Sequence, residues 1–315
     1  MARILVTGAA GFIGHAVTEA LLARGDEVIA TDIAAGPRFQ ALLDASPRLT
    51  FERGEITEWP LLVGLIKEGR PEKVVHCAAV VGVPASVGSP VGTFRVNVEG
   101  TINLLEAMRF FGLKRMVNIS SEEIYGPFLA DTIGEDHRCL PTKPYGISKF
   151  VVEQVCRDYA AAHHLECIHA RTSWVYDPYF PRARPPRNLL DAAVAGKLLH
   201  LPGGASYVVD QVHIDDLVQG VLLALDKDRH TYDAYHITTG VAVPFSEVCA
   251  IIKRRLPKAD ISCGPEPLRF VDGTEAVKKG ALSIARAGRE LGYHPRWAME
   301  SGLNAWIDLL LTGKG

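Results

Sequence analysis

Tyr145-Gly146-Ile147-Ser148-Lys149 sets a phenol and an ammonium four residues apart. On a helix, that spacing puts the two on one face, a turn from each other. An ammonium beside a phenol favours the phenolate and draws its pKa down from about 10 towards neutrality. A phenolate poised there is a competent general base for a hydroxyl proton. Carbinol oxidation has this need, because a proton leaves oxygen as hydride leaves carbon. The run Met116-Val117-Asn118-Ile119-Ser120-Ser121 reads as a strand ending in two hydroxyls, followed by Glu122-Glu123-Ile124-Tyr125-Gly126. Parallel sheets gather ligands at the carboxyl ends of their strands, so Ser120 and Ser121 are both expected to face the reaction cleft. A serine hydroxyl there orients the reacting carbon and helps hold charge on oxygen.

A hydride needs an acceptor. Thr7-Gly8-Ala9-Ala10-Gly11-Phe12-Ile13-Gly14 follows the apolar run Arg3 to Val6 and opens a helix-like segment, Ala16 to Arg24. Strand, glycine turn and helix make a dinucleotide site. Gly8 permits the turn, Gly11 lets the backbone approach a pyrophosphate, and Gly14 lets the helix pack on the strand. The free N–H groups and positive dipole end of the helix then hold the phosphates. The glycines fall three apart, not in the G-x-G-x-x-G of the common dehydrogenase fingerprint. The next apolar run, Glu27 to Thr31, ends in Asp32. A carboxylate at the end of the second strand accepts from the adenosine ribose hydroxyls and repels a 2′-phosphate, which selects NAD over NADP. Arg38 is the nearby residue that would pair with such a phosphate.

The elements that must position these groups alternate. Strands are expected near 3–7, 27–31, 49–52, 73–77, 115–120 and 166–171. One helix is expected over 90–111, with Phe94, Val98, Ile102, Leu105 and Met108 as its stripe, and another over 143–164. Strands separated by helices imply a parallel sheet covered on both faces. After about residue 172 the rhythm breaks in the proline-rich loop Tyr176 to Arg187, which ends regular structure. Shorter, mixed elements follow, and a final helix is expected over 299–311. The expected division is 1–172 as a dinucleotide domain carrying the catalytic residues and 173–315 as a smaller lobe. Segments near 206–237 are the ones able to return to the first domain, and the substrate is expected between the lobes.

Composition excludes other classes. The chain has 315 residues, 48% hydrophobic and 22% charged, with a formal net charge of −2, so nothing draws it to nucleic acid or an anionic membrane. The N-terminus carries no signal-peptide pattern, and no apolar stretch reaches the roughly 18 residues needed to span a bilayer. The six cysteines, at 77, 139, 156, 167, 249 and 263, lack C-x-x-C spacing. They read as reduced core residues of a cytoplasmic protein, not as zinc ligands or disulfides. No metal site is expected.

Over nearly its whole length the chain resembles the extended short-chain dehydrogenase/reductase family, the NAD-dependent sugar epimerases and dehydratases. The resemblance rests on residues 7–14, Asp32, His76-Cys77-Ala78-Ala79, Asn97-Val98-Glu99-Gly100-Thr101, Ser120 to Gly126, Tyr145 to Lys149, and His213-Ile214-Asp215-Asp216. It implies a Rossmann-type doubly wound parallel sheet with a smaller mixed α/β C-terminal substrate lobe. It implies NAD held by Gly8, Gly11, Phe12, Ile13, Gly14 and Asp32, with Ala78 and Ala79 along its path. Glu55 and Ile56 would lie near the adenine, where relatives often have Gly-Asp-Ile in place of Gly54-Glu55-Ile56. Tyr145 would be the acid/base, Lys149 its pKa tuner and ribose anchor, Ser121 the third catalytic residue, and Asn97 the brace of this geometry. The helices containing Asn97 and Tyr145 form the usual dimer interface of relatives, so a homodimer is implied.

The departures bear on the substrate. Relatives acting on nucleotide sugars usually carry a diphosphate-binding asparagine where this chain has Trp174, and an arginine where it has Val209. Losing both charge-assisted partners weakens the case for a diphosphate. Arg182, Arg184 and Arg187, in the proline-rich loop, are candidates to recognise a phosphate, diphosphate or sugar carboxylate. Glu123 matches the position of a base in dehydratase and decarboxylase relatives, with Glu122 before it in place of their aspartate. A carboxylate beside a transient ketone removes an alpha proton and allows elimination. The resemblance implies epimerase or dehydratase chemistry on a sugar or nucleotide sugar. The alternatives are net dehydrogenation of a sugar, sugar acid or polyol and, more remotely, a non-catalytic NAD-sensing or scaffold protein.

Overall fold

A computed structural model describes residues 1–270 and 273–312. Its strands, in chain order, are β1 (Arg3–Thr7), β2 (Glu27–Asp32), β3 (Leu49–Arg53), β4 (Lys73–His76), β5 (Arg115–Ser121), β6 (Thr132–Ile133), β7 (Glu166–Thr172), β8 (Trp174–Tyr176), β9 (Leu199–Gly203), β10 (Val208–His213), β11 (Ala234–His236), β12 (Ala242–Pro244), β13 (Ile261–Glu266) and β14 (Ala281–Leu282). Seven of them form one sheet in the order β11-β7-β5-β4-β1-β2-β3. β1 runs parallel to both β2 and β4, β2 to β3 and β4 to β5. Helices cover the sheet, so its strands are continuous apolar runs; Ile4, Leu5 and Val6 are fully buried. After β1 the chain builds β2 and β3 on one side, then crosses to β4 on the other. The strand order reverses at β1, which opens a crevice at the carboxyl ends of β1 and β4.

The helical segment 90–111 departs from expectation. Pro90–Phe94 and Gly100–Phe111 are α-helical, but Arg95–Glu99 between them is a π turn. The wider turn rotates the apolar stripe. Leu105 and Met108 enter the core with Leu62, Leu104, Met116 and Val152. Phe94 stays 36% exposed, and with Pro90, Val91, Val98 and Ile102 it lines an open surface hollow.

The chain divides into two units that are discontinuous in sequence. The first holds Met1–Gly126, Arg138–Arg171 and Val218–Tyr235; the second holds Pro127–His137, Thr172–Leu217 and the chain from His236 onward. A single boundary at 172/173 therefore does not describe the fold. Val218–Tyr235 returns because β11 extends the sheet beside β7, where His169 N donates to Asp233 O at 2.7 Å. Arg115 also donates to the carbonyls of Leu225, Lys227 and Asp228. Pro127–His137 leaves the first unit because β6 pairs in parallel with β14.

Within the second unit, β10 lies between β8 and β12, and β9 pairs with β13. Tyr176, Leu189, Val209, Phe245, Val248, Leu303 and Trp306 form its core. Asp210, buried in β10, accepts from the Thr238 and Thr239 hydroxyls and from Gly240 and Leu282 N–H groups, so the loop after β11 is anchored on one carboxylate. None of the six cysteines is in a disulfide, and among the described residues no helix is long and apolar enough to cross a membrane.

Candidate active site

The glycine turn is built as a cradle. Gly8 has φ +65, and a Cβ there would sit 2.6 Å from Ala78 N; one at Gly14 would sit 2.0 Å from Gly8 O. No other residue fits either place. Gly11 is the N-cap of helix Phe12–Arg24, and Phe12 and Ile13 form its half-buried first turn. Asp32 ends β2 with its carboxylate tethered beside the turn, accepting from Ala10 N at 3.0 Å and Ile33 N at 2.7 Å. Arg38 pairs with Glu19 at 2.9 Å, a contact that occupies the guanidinium considered for a 2′-phosphate. Ala78 and Ala79 follow β4, half-buried. Glu55 is exposed and accepts from the Thr57 hydroxyl. Ile56 is buried against Gly100, where a Cβ would come within 2.6 Å of Ile56 Cδ1. A turn that only glycine can make, a helix start behind it and an anchored strand-end acid are the parts a dinucleotide requires.

Tyr145 lies in the first turn of helix Pro144–His163, with Pro144 at a position where its missing N–H costs nothing. Tyr145 is 8% and Lys149 4% exposed. Lys149 Nζ donates to Ile119 O of β5 at 2.8 Å. Burial pulls the Lys149 ammonium down to about 8, against opposing effects of Cys77 and Glu153. Gly146 lets the helix sit against the single turn of 3-10 helix Glu122–Tyr125, because a Cβ there would lie 2.4 Å from Glu123 O. That contact brings Tyr145 to the end of β5.

The two serines part company. Ser121 caps the 3-10 turn, its Oγ accepting from Glu123 N at 3.2 Å. Ser120 points the opposite way and donates to Glu153 Oε1 at 2.6 Å inside the protein. The expectation that both face the cleft fails because successive strand residues point to opposite faces. Glu153 is also gripped by Arg171 through two bonds, at 3.0 and 2.7 Å, and Arg171 donates to Tyr125 Oη at 2.7 Å. Glu122 is buried and Glu123 half-buried.

Asn97 sits in the π turn. Its amide is bonded through both ends: Oδ1 accepts from Val80 N at 2.7 Å, while Nδ2 donates to Val80 O at 3.1 Å and to Ser148 Oγ at 2.9 Å. Ser148 Oγ in turn donates to Tyr145 O at 2.8 Å. The amide thus braces the helix of Tyr145 against the segment after β4.

The candidate substrate residues of the second unit are packed together in part. Trp174 stacks at a tilt with Tyr207 and Phe245. The Arg184 guanidinium lies 4.0 Å from the Trp174 ring centroid and 4.5 Å from that of Phe180. Val209 is fully buried. Arg182 is exposed. Arg187 is engaged within the loop. It pairs with Asp191 at 2.9 Å and donates to the carbonyls of Pro178 and Phe180, which pins the proline-rich loop to the helix it starts.

Sequence reasoning gave no role to His76, Thr7, Thr101 or Ser148. Their signal was present as polar side chains inside otherwise apolar strand ends and helix faces. Only the fold shows that they meet.

Comparison with known proteins places the chain in a family. Residues 4–238 match the NAD dependent epimerase/dehydratase family. The chain is 31% identical to UDP-glucose 4-epimerase of Mycolicibacterium smegmatis, covering 97% of each. Its structure is similar to that of a UDP-glucose 4-epimerase from Thermotoga maritima with UDP-glucose, with TM-score 0.88 and 28% identity over 99% of this chain and 100% of the other. It is likewise similar to a dTDP-glucose 4,6-dehydratase from Streptomyces venezuelae with NAD bound, with TM-score 0.87 and 29% identity over 99% and 98%. A match across most of the chain, in sequence and in fold, makes this protein an enzyme of the NAD-dependent epimerase/dehydratase family.

Proposed function

We propose that this enzyme uses NAD to oxidise a carbinol of a sugar to a transient ketone and completes an epimerisation or dehydration in the same site. The observation that carries this reading is Tyr145 and Lys149 on the buried face of one helix, joined by Gly146 to the turn capped by Ser121. When bound, NAD supplies the two-electron acceptor and later donor. The glycine turn and the start of helix Phe12–Arg24 hold its pyrophosphate, and Asp32 its adenosine ribose. Tyr145 takes the hydroxyl proton as its phenolate, stabilised by the Lys149 ammonium. Ser121 Oγ fixes the reacting oxygen. Glu123 takes the alpha proton if water is to leave.

A second reading is net dehydrogenation of a sugar, sugar acid or polyol. Trp174 and the buried Val209 favour it, since neither offers a charge to a diphosphate. For an anionic group on the substrate, the second unit offers Arg182, Arg184 and Arg187.

A panel of nucleotide sugars, free sugars and sugar acids separates the readings. The purified protein is expected to retain NAD and to release an isomer or a dehydrated product without accumulating NADH. Deuterium from D2O at the carbon next to the ketone would mark the elimination branch, and Glu123→Gln would abolish it. Steady NADH production, one per substrate consumed, would overturn the epimerase/dehydratase reading in favour of the second. We also propose a homodimer packed through the helical segment 90–111 and helix Pro144–His163, whose open apolar hollow includes Val91 at 82% exposure.

A further inference from the structure

We propose that His76 is a positioning residue that ties the glycine turn of the cofactor site to the helix carrying Tyr145. The proposal rests on Tyr145 being the acid/base. The tie is a continuous run of hydrogen bonds inside the first unit. Thr7, the residue before Gly8, has its Oγ1 2.6 Å from His76 Nδ1, and His76 Nε2 lies 3.0 Å from Thr101 Oγ1. Thr101 Oγ1 donates to Asn97 O at 2.6 Å, Asn97 Nδ2 donates to Ser148 Oγ, and Ser148 Oγ donates to Tyr145 O. Thr7, His76, Asn97, Thr101 and Ser148 are each 2% exposed or less.

Hydrogen-bond bookkeeping fixes the histidine tautomer. Thr101 has one hydroxyl proton and spends it on the Asn97 carbonyl, which only accepts. Its oxygen must therefore accept from His76, so the imidazole carries its proton on Nε2. Nδ1 is then a bare acceptor, and Thr7 Oγ1 donates to it. Thr7 Oγ1 also lies within 3.4 Å of the Ala78 N–H, which donates to it. Burial, with the Lys149 charge nearby, holds His76 down to about 3, so the ring is neutral at working pH. Every donor in the run points from the cofactor turn or His76 towards Asn97, and from Asn97 towards Tyr145.

The consequence is a fixed distance between two parts of the site that lie far apart in sequence. Asn97 sits in a π turn, the kind of irregularity that costs energy and recurs at functional sites. His76 holds that turn from behind through Thr101. If the turn relaxes, Ser148 and the first turn of the Tyr145 helix lose their brace, and the phenol drifts from Lys149. The charged and titratable groups around Lys149 are His76 of β4, Cys77 just after it, and Glu153 and Cys156 on the same helix, and Glu123 of the 3-10 turn packs at Gly146 beside Tyr145. With Lys149 less closely held, the Tyr145 phenolate is less stabilised. The acid limb of the rate profile, which reports Tyr145 losing its proton, then moves to higher pH.

The test uses His76→Leu, His76→Gln, Thr101→Val and the double variant H76L/T101V in the full chain. His76→Leu should keep its far-UV spectrum and lose about 10- to 100-fold in kcat. KM should change by no more than a few-fold, and the acid limb should move up by about half a pH unit or more. His76→Gln, whose amide N–H can replace Nε2–H towards Thr101, should recover most of the rate and return the limb. Thr101→Val should match His76→Leu, and the double variant should be no worse than either, as expected of one connected unit. Should the leucine variant not fold, His76→Gln and Thr101→Val carry the test. Independently of turnover, imidazole nitrogen NMR of the wild-type chain should show a protonated Nε2 and a bare Nδ1, unchanged from pH 8 to pH 5. A limb that stays in place in both His76→Leu and Thr101→Val, a proton on Nδ1, or additive losses in the double variant would overturn the proposal. A Tyr145→Phe enzyme with unchanged turnover would instead overturn the acid/base reading and leave the nitrogen pattern as it is.

Discussion

Tyr145 and Asp32 show how much a single side chain decides. Tyr145→Phe keeps the ring and its packing but removes the only proton the reaction needs to move at that position. It is expected to lower kcat by about 10²- to 10⁴-fold while NAD affinity, read by fluorescence titration, stays within a few-fold. In the proposed cofactor site Asp32 acts on NAD alone. Its carboxylate is fixed by Ala10 N and Ile33 N, which would present it to the adenosine ribose as a preorganised acceptor. Asp32→Ser should weaken NAD binding and leave NADP binding level or improved, so the NADP dissociation constant divided by that of NAD falls. An unchanged ratio in parallel titrations would remove Asp32 from the cofactor site.

At the scale of elements, the helix Pro144–His163 is held from below by charge. Glu153 is fully buried and ion-paired with Arg171. Burial works against its carboxylate, but His169 and Arg171 hold it down to about 2. Glu153→Gln leaves Arg171 buried without its partner, and should cost about 3–5 kcal/mol in urea unfolding. A loss under 1 kcal/mol would show that the pair does not anchor the helix. His76 sets a pH dependence of its own. Its folded value, about 3, lies below its ordinary 6.5. The unfolded chain therefore binds a proton that the native chain refuses, so this stability is full above about pH 6.5 and drains away as pH falls towards 3. Between pH 7 and pH 5 the loss from this ring is on the order of 2 kcal/mol. His76→Gln, which does not titrate, should flatten the urea midpoint over that range.

For the whole molecule, the open question is where the exposed apolar helix face goes. Val91 and Phe94 stand out from a helical segment whose other side is core. This surface, rimmed by Arg95 and Glu99, is the face proposed above for the homodimer. Light scattering should give twice the chain mass, and Val91→Glu with Phe94→Asp should give the monomer. A wild-type monomer at micromolar concentration would remove the homodimer.

The local geometry of the glycine turn and of the Tyr145 helix was legible in the residues themselves. Glycine is the only residue for positions 8 and 14, Asp32 ends the second apolar run, and Tyr145 and Lys149 are one turn apart on any helix. These are local facts, governed by sterics and by the 3.6-residue period. The apolar runs of β1, β2, β4, β5 and β7 were legible for the same reason, since strands buried on both faces need little from their neighbours to be seen. What stayed hidden depended on which residues meet across the fold. Ser120 and Ser121 read alike, and only the facing Glu153 shows that one belongs to the interior. Arg184 and Arg187 read alike, and only Trp174, Phe180 and Asp191 tell them apart. The π turn at Asn97 leaves the apolar period almost intact, so its one-residue shift was invisible until Leu105 and Phe94 parted to core and surface. Periodicity records the face of each element, but hydrogen-bond partners and ion pairs across 20 to 100 residues of chain exist only once the sheet brings strand ends together. The sequence by itself thus determined the glycine turn and the one-turn spacing of Tyr145 and Lys149, while the tertiary structure decided which polar residues brace them and which stand on the surface.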